Sequence, residues 1–356
     1  MSTAAAVPLQ AAESGAEAAP TQAVTAGLPV IYGAMHMLVD LTTVTAITRA
    51  AGFAEDDLLG PFGLVLGYDL LAFGLQLPLG YAVDRLGALR GALVAGLALS
   101  ALGLGLVPYS AAGTMVVAGV GNALFHLGAG ALVLVGARGR AAPTGVFVAP
   151  GALGLGLGMA LGRAADLPTW PLFLVLAAAI VAAGRVRNPR PQQPLNFNDQ
   201  KVGAFLSSER AALWWTVLGL VFASVMVRSF VGFASARGCP KSLVLLAGIP
   251  LAGFLGKTLG GLVSDRVGWV ETSVGALVLS APMIALAGYT PWGLLPGLVI
   301  FQATMPVTLT AAYLLMPRYP ATAFGLPCLG LVLGALPTFF DDMGVYARGL
   351  FLALIL

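Results

Sequence analysis

Six side chains that can bind protons or ions lie inside long apolar runs of this chain. They are His36, Asp40, Asp69, Asn122, His126 and Arg228. Such groups are costly inside a membrane, so they usually line a cavity or pair with one another. A carboxyl group at low dielectric prefers its neutral form, so it takes up or releases a proton when its surroundings change. The set therefore predicts a pathway for a proton and a polar substrate.

His36 and Asp40 are one helical turn apart, which places them on the same face of a helix. We predict that Asp40 carries a coupling proton and that His36 shares it or donates to a substrate. Asp69 is then a second acid of the same cavity, and the approach of Arg228 favours the charged form of Asp40. Four alternatives stay open: an ion pair of Asp40 with Arg228, a hydrogen-bonded neutral Asp40, a polar pair of the two acids, and a core histidine with no transport role.

Asn122 and His126 are one turn apart in another apolar run, which also contains Gly121, Gly128 and Gly130. Those glycines favour close packing between helices. Lys257 precedes a polar loop by two turns, so its amine is expected to extend to the membrane surface.

The composition places the chain among helical membrane proteins. Of its 356 residues 58% are hydrophobic and only 9% are charged, against about 25% charged in soluble domains. The two cysteines are too few for a disulfide framework. The sequence has no P-loop, cysteine and histidine metal motif, nucleophile constellation or basic-aromatic face. We therefore expect neither enzymatic activity, nor a cofactor or metal, nor a nucleic-acid partner.

Apolar runs of about 20 residues, the length that crosses a bilayer, fill most of the chain. They occupy 27–49, 58–82, 91–108, 112–136, 143–163, 168–185, 211–235, 242–263, 271–288, 292–316 and 321–340. The last apolar stretch, 345–356, is too short to cross. We predict an all-α membrane protein of two six-helix bundles whose final helix is short. Its parts are a disordered tail at 1–25, a bundle at 26–185, a linker at 186–210 and a second bundle at 211–356.

Basic residues favour one orientation of these helices, because cytoplasmic loops are enriched in Lys and Arg. One side would receive Arg85, Arg90, Arg138, Arg140, Arg185, Arg187, Arg190, Lys201, Arg210, Arg266 and Arg318. The other would receive only Arg49, Arg163, Arg237, Lys241 and Arg348. Both termini and the linker are therefore expected in the cytoplasm.

One motif, G-x-x-x-D-R-x-G, occurs twice, each time between two apolar runs. The first copy has Gly80, Asp84, Arg85 and Gly87, followed by Arg90, and the second has Gly261, Asp265, Arg266 and Gly268. Its repetition indicates two similar halves, as in repeat-built carriers. We predict that these are cytoplasmic gating loops and that Asp84 holds the halves together while the protein is open outward. The alternative is a tight polar turn without such a role.

The motif resembles the loop between helices 2 and 3 of major facilitator superfamily transporters, and its weaker repeat between helices 8 and 9. In that family it ends in Gly-Arg-Arg or Gly-Arg-Lys. Here Ala88-Leu89 precede Arg90, and Trp269-Val270 follow Gly268, so the basic end of the motif is thinned.

Four further stretches are similar to the fosmidomycin-resistance-like branch of that superfamily. They are His36-x-x-x-Asp40, Phe125-His126, the glycine-rich segment from Pro150 to Gly162, and Arg228-Ser229-Phe230. The chain departs from the branch at Leu127, where proline is usual, and it lacks the Gly-Pro pair of the antiporter motif.

The resemblance implies a midplane cavity between two bundles that rock to alternate its access. Members of the branch are mostly bacterial, and many are thought to export drugs. The leading interpretation is a monomeric, proton-coupled exporter of a small organic molecule in the inner membrane. One rival is an uptake carrier for an anionic solute, with Arg228 and the histidines as its partners. The other is a non-transporting membrane sensor or assembly subunit.

Overall fold

A computed structural model describes residues 27–53, 59–192, 209–237, 242–340 and 354–356. The tail expected at 1–25 lies outside these residues. Most of the linker at 186–210 and of the short final segment at 345–356 lie outside them too. The fold is therefore built from the helices between these segments.

Eleven membrane helices fill the described ranges, with no strand among them. In chain order, α1 to α6 span Leu28–Gly52, Gly60–Leu86, Leu89–Leu106, Ala111–Ala137, Ala141–Arg163 and Trp170–Arg185. Helices α7 to α11 span Glu209–Arg237, Leu243–Val267, Trp269–Ala287, Pro291–Leu315 and Pro320–Phe340. Ten of the eleven are long and apolar enough to cross a membrane, whereas α6 is shorter.

The outer surface of these helices is apolar, as a lipid-facing surface must be. Leu174 on α6, Leu220 on α7 and Val278 on α9 are each more than half exposed. Polar side chains such as Asp40 and Asn122 are buried instead. This inside-out distribution fits a protein that is surrounded by hydrocarbon.

Small residues let the helices approach closely. A Cβ atom added at Gly154 or Gly158 of α5 would lie within 3.1 Å of α1 atoms, including Cβ of Asp40 and the carbonyl oxygen of Leu41. Gly162 is equally close to Thr48. Glycines at four-residue spacing therefore let α5 pack closely against α1.

Two helices are irregular near the centre of the molecule. In α2 a π-helical turn, Leu70–Gly74, follows directly after Asp69. In α10 the helix stops at Gln302 and resumes at Met305. Irregular turns within membrane helices are common at functional sites, because they release backbone and reorient side chains.

Candidate functional site

A cavity of about 840 Å³ lies between helices of the first half of the chain, α1 to α6, and helices of the second half, α7 to α11. Its wall is mostly apolar and includes Phe73 on α2, Met159 on α5 and Phe324 on α11. It extends to Arg163 and Leu243, which are exposed at the end of the molecule opposite Asp84. Of the six residues that the sequence predicts, all but Asn122 line it. This volume suits a small organic ligand.

Asp40 on α1 is 3% exposed and is held by two helices. Its Oδ2 lies 3.1 Å from Nε2 of His36. Its Oδ1 accepts a hydrogen bond of 2.9 Å from Nδ2 of Asn122 on α4 and lies 3.8 Å from Nε2 of His126. Helices α1 and α4 thus bring four of the six predicted residues into one buried cluster.

The hydrogen-bond partners of the two imidazoles fix where their protons lie. Nδ1 of His36 lies 3.0 Å from the carbonyl oxygen of Phe147, and Nδ1 of His126 lies 2.9 Å from that of Asn122. A carbonyl oxygen only accepts, so each Nδ1 carries a hydrogen, and a neutral ring then has a bare Nε2. The two Nε2 atoms are nevertheless 2.7 Å apart, a hydrogen-bond distance. The two rings are therefore placed to share a proton, beside the carboxylate of Asp40.

The same three side chains are the candidates for a metal site. One ligand atom each from His36, Asp40 and His126 lie within 4.8 Å of one another. Ligands about 2.0–2.1 Å from a tetrahedral zinc ion would be roughly 3.3 Å from each other. The Nε2 atoms are closer than that, so their spacing fits a shared proton better than an ion.

A hydroxyl network extends the cluster toward α2. Nδ2 of Asn122 also donates to Oγ1 of Thr43 at 3.2 Å, and this hydroxyl is 2.8 Å from the phenol oxygen of Tyr68. Both Thr43 and Tyr68 are buried. Neither was predicted from the sequence, although the three-residue spacing from Asp40 to Thr43 places the two near each other on a helix.

The second half supplies the cations. Arg228 on α7 is 4% exposed, and its Nη1 donates to Oγ1 of Thr304 at 3.3 Å and of Thr308 at 3.2 Å, beside the break in α10. Its Nη2 is buried and has no hydrogen-bond partner among the residues that the structure describes. The expected alternative of an ion pair with Asp40 is not observed. Lys257 on α8 lines the cavity, whereas its sequence position predicted an amine at the membrane surface.

Asp69 occupies a separate part of the cavity wall, immediately before the π-helical turn of α2. It makes no salt bridge or hydrogen bond with Asp40 in the part of the chain that the structure describes. It stands apart from the cluster as a second acid of the cavity wall.

Asp84 at the end of α2 contacts the beginning of α11, in the other half. Its Oδ1 accepts from the backbone N–H of Ala321 at 2.9 Å. Its Oδ2 accepts from the N–H of Thr322 at 2.8 Å and from the hydroxyl of the same residue at 2.7 Å. The first turn of a helix has unpaired N–H groups and a partial positive charge, so a carboxylate binds well there.

Asp265 repeats this contact with the halves exchanged. Its two oxygens accept from the N–H groups of Ala141 and Ala142 at the beginning of α5, at 2.7 and 2.9 Å. Asp84 is buried, whereas Asp265 is exposed. We call these two contacts the Asp84 latch and the Asp265 latch, and the end of the molecule that carries them the latch face.

The first glycine of each motif explains its fixed distance from the aspartate. A Cβ atom at Gly80 would lie 2.7 Å from the carbonyl oxygen of Ala321, and one at Gly261 would lie 2.8 Å from that of Ala141. A side chain would push the helices apart, so glycine one turn before the aspartate allows the latch to form.

The remaining motif positions lie around the latches. Gly87 ends α2 with a left-handed backbone, at a φ of 62°, as a C-terminal glycine commonly does. Gly268 has a φ of 119° between α8 and α9. Arg85 lies over the ring of Tyr81, and Arg90 and Arg266 are exposed.

No family model matches this chain, and no curated protein matches its sequence. Solved structures are similar in fold. The E. coli fucose:proton symporter FucP superposes with a TM-score of 0.66 at 13% identity, covering 93% of this chain and 97% of that one. The human organic anion transporter TETRAN gives 0.64 at 18% identity, covering 95% and 97%.

A second structure of FucP, described as a major facilitator superfamily transporter in the outward conformation, gives 0.58 at 15% identity and covers 92% and 97%. With the helix count and arrangement, these similarities define the class. The chain is an all-α, multi-pass membrane protein with the fold of major facilitator superfamily transporters. Since a shared fold does not fix a function, substrate and coupling must be argued from the site itself.

Proposed function

We propose that this protein is a secondary active transporter that moves a small organic molecule in exchange for, or together with, protons. The observation that carries the proposal is the buried cluster of Asp40, His36 and His126 at the wall of a cavity between the two halves. A carrier of this fold exposes its cavity to one side and then to the other. A proton-binding group in that wall meets a different aqueous phase in each state, and this alternation couples proton movement to conformation.

Proton coupling is also known from one structural neighbour, FucP, which is a fucose:proton symporter. In this chain Asp40 is the proposed coupling acid, with both histidines sharing its proton. Asp69, in the same cavity wall, is the reserve candidate. The latches around Asp84 and Asp265 are the proposed gate, because they join the halves at the end opposite the exposed cavity residues.

We propose export as the direction, an inner-membrane location and cytoplasmic termini. The first follows from the resemblance to the fosmidomycin-resistance-like branch in α1, α4, α5 and α7, and the last from the distribution of Lys and Arg. We also propose a monomer, because the cavity and both latches are formed within one chain.

Transport by purified protein in liposomes is the direct test. Proteoliposomes would receive a defined mixture of metabolites and drug-like compounds under an imposed pH gradient, and their contents would be measured by mass spectrometry. We expect at least one compound to redistribute against its concentration gradient and to equilibrate when a protonophore collapses the pH difference. The absence of redistribution with folded protein would favour the sensor or assembly subunit, whereas redistribution that survives the protonophore would exclude proton coupling.

A further inference from the structure

Apart from the exposed Arg163 at the open end of the cavity, the charges of the cavity wall are divided between the two halves of the protein. The acids Asp40 and Asp69 lie on α1 and α2, whereas Arg228 and Lys257 lie on α7 and α8. In the described residues, the carboxylate of Asp40 has histidine partners and neither cation has a carboxylate partner. A buried charge that lacks a countercharge is costly, so the second half of the cavity is incomplete as it stands.

Arg228 shows what kind of group is missing. Its Nη1 is held by the two threonine hydroxyls of α10, so the guanidinium is fixed in place. Within the described part of the chain, its Nη2 is buried without an acceptor. A guanidinium presents paired donors that match the two oxygens of a carboxylate. Lys257 on α8, the next helix in the chain, adds a second positive charge to the same cavity wall.

We propose that the transported molecule is an organic anion whose carboxylate binds Arg228 and Lys257. This inference rests on the proposed transport function and names its substrate class. The anionic group replaces the absent countercharge of the second half, and the apolar body of the molecule lies against the mostly apolar wall, which includes Met159 and Phe324. The cavity volume of about 840 Å³ accommodates a molecule of drug size.

The division of charges also separates the two cargoes. The contact of His36 and His126 that can share the coupling proton lies in the first half, and the carboxylate would lie in the second. Substrate and coupling proton therefore need not compete for one group, because each half binds one of them. An amphipathic acid should bind, whereas its neutral amide, which has the same shape, should not.

Binding to the full-length protein in detergent tests this proposal without any gradient. Three acids, benzoate, octanoate and 2-naphthoate, would be compared with their amides at pH 7 by thermal shift. We expect at least one acid, and none of the amides, to raise the unfolding temperature in a saturable manner. Equal stabilisation by acid and amide, or no stabilisation by any of the three acids, would overturn the proposal.

Variants locate the site. Arg228→Gln and Lys257→Gln should each weaken binding of the stabilising acid by about tenfold or more, since each removes a charged hydrogen-bond donor. Arg210→Gln, the same change at an exposed position of α7, should leave it unaltered. If Arg228→Gln does not fold, Arg228→Lys should fold and bind more weakly, because it keeps the charge and loses the paired donors. Unaltered binding in Arg228→Gln, or in Arg228→Lys where only that variant folds, would reject the site.

Failure of this binding experiment and failure of the transport experiment are distinguishable. Selective acid binding without gradient-driven redistribution would support the proposed ligand site and contradict proton-coupled transport. Redistribution of neutral compounds without acid binding would support the transport function and contradict the proposal of an anionic substrate.

Discussion

Two backbone carbonyl oxygens determine the protonation pattern of the cavity histidines. Because Phe147 and Asn122 present only acceptors to Nδ1 of His36 and His126, both rings direct their Nε2 atoms toward each other and toward Asp40. The three atoms that can share a proton therefore lie within hydrogen-bond distance of one another in a row, from His126 through His36 to Asp40.

Replacement of Asp40 by asparagine should separate coupling from transport. An amide cannot hold the countercharge for the shared proton, so Asp40→Asn should lower flux driven by a pH gradient to the level of empty liposomes. Counterflow exchange should persist, because exchange needs no net proton movement. Both rates would be measured in proteoliposomes with the compound that redistributes for the unmodified protein.

The exposed Asp166 offers a matched control, and Asp166→Asn should leave both rates unaltered. Retention of pH-driven flux in Asp40→Asn would show that another group carries the coupling proton, and Asp69 would be the next residue to test. Loss of both activities in folded protein would instead make Asp40 a substrate ligand or a structural residue.

A single methyl group at Gly151 should disturb the cluster from the neighbouring helix. A Cβ atom there would lie 2.6 Å from Cε1 of His36 and 2.7 Å from Oδ2 of Asp40, so the two side chains must move apart. We expect Gly151→Ala to reduce pH-driven flux as severely as Asp40→Asn. Gly219→Ala, at an exposed position of α7 where the added atom meets nothing within 4 Å, should transport normally. Normal flux in folded Gly151→Ala would show that the cluster tolerates displacement.

Sequence spacing predicts part of this site and misses the rest for a physical reason. His36 and Asp40 share a face because both belong to one helix, and a four-residue interval fixes their relation. The approach of His126 depends on the rotation and separation of α1 and α4, which hydropathy does not determine. Thr304 and Thr308 were likewise missed, because an isolated threonine in an apolar run carries no signal until an arginine lies beside it.

At the scale of helices, the latches are contacts between a carboxylate and a helix N-terminus, and charge should decide their strength. Asp84→Asn removes the negative charge and weakens the hydrogen bonds that this side chain accepts from Ala321 and Thr322, by about 1–3 kcal/mol. We therefore expect a shift toward the state that is open on the latch face. Asp265→Asn should act in the same direction but less, because Asp265 is exposed whereas Asp84 is buried.

A reporter cysteine can measure this shift. Thr144 is buried on α5, where its hydroxyl lies 3.0 Å from that of Thr310 on α10, so Thr144→Cys becomes accessible only when the halves separate. With Cys239 and Cys328 replaced by serine, its alkylation rate should rise in Asp84→Asn. Glu271→Gln, an exposed charge removal on the same face, is the control. An unaltered alkylation rate together with normal transport would show that the Asp84 motif is a turn without a gating role.

The G-x-x-x-D-R-x-G motif can be recognised in the sequence, but the contact of its aspartate with a helix N-terminus cannot. Two copies of G-x-x-x-D-R-x-G indicate paired loops, yet only the packing of α2 on α11 and of α8 on α5 shows which helix ends accept the carboxylates. The break in α10 has a partial signal in Pro306, which lies at the start of the second helical piece. The π-helical turn of α2 has none.

For the whole molecule, the orientation of the latch face remains a prediction. The segment after α6, which includes Gln192, is expected on the cytoplasmic side, whereas Tyr109 between α3 and α4 is expected outside. Both are exposed. In intact cells and a background without cysteines, an impermeant thiol reagent should label Tyr109→Cys but not Gln192→Cys, and lysis should make both react. Labelling of Gln192→Cys in intact cells would show that the protein has the opposite orientation in the membrane.

The architecture was predictable because hydropathy and length alone identify spanning helices, and the repeated loop pairs the two halves. The division of the cavity charges was not. It requires that Arg228 point inward from α7 and Lys257 from α8, and rotation about a helix axis is set by packing among neighbours. Apolar runs with almost no amphipathic pattern do not encode that rotation.

The latches are unequal in how freely their two sides can evolve. The aspartates are recognised at their own side chains, whereas the partner helices contribute mainly backbone N–H groups of Ala141, Ala142, Ala321 and Thr322. Almost any residue except proline keeps those N–H groups. The partner positions can therefore drift without compensating changes at the aspartates, so a search for co-varying residue pairs would overlook the contacts that join the two halves.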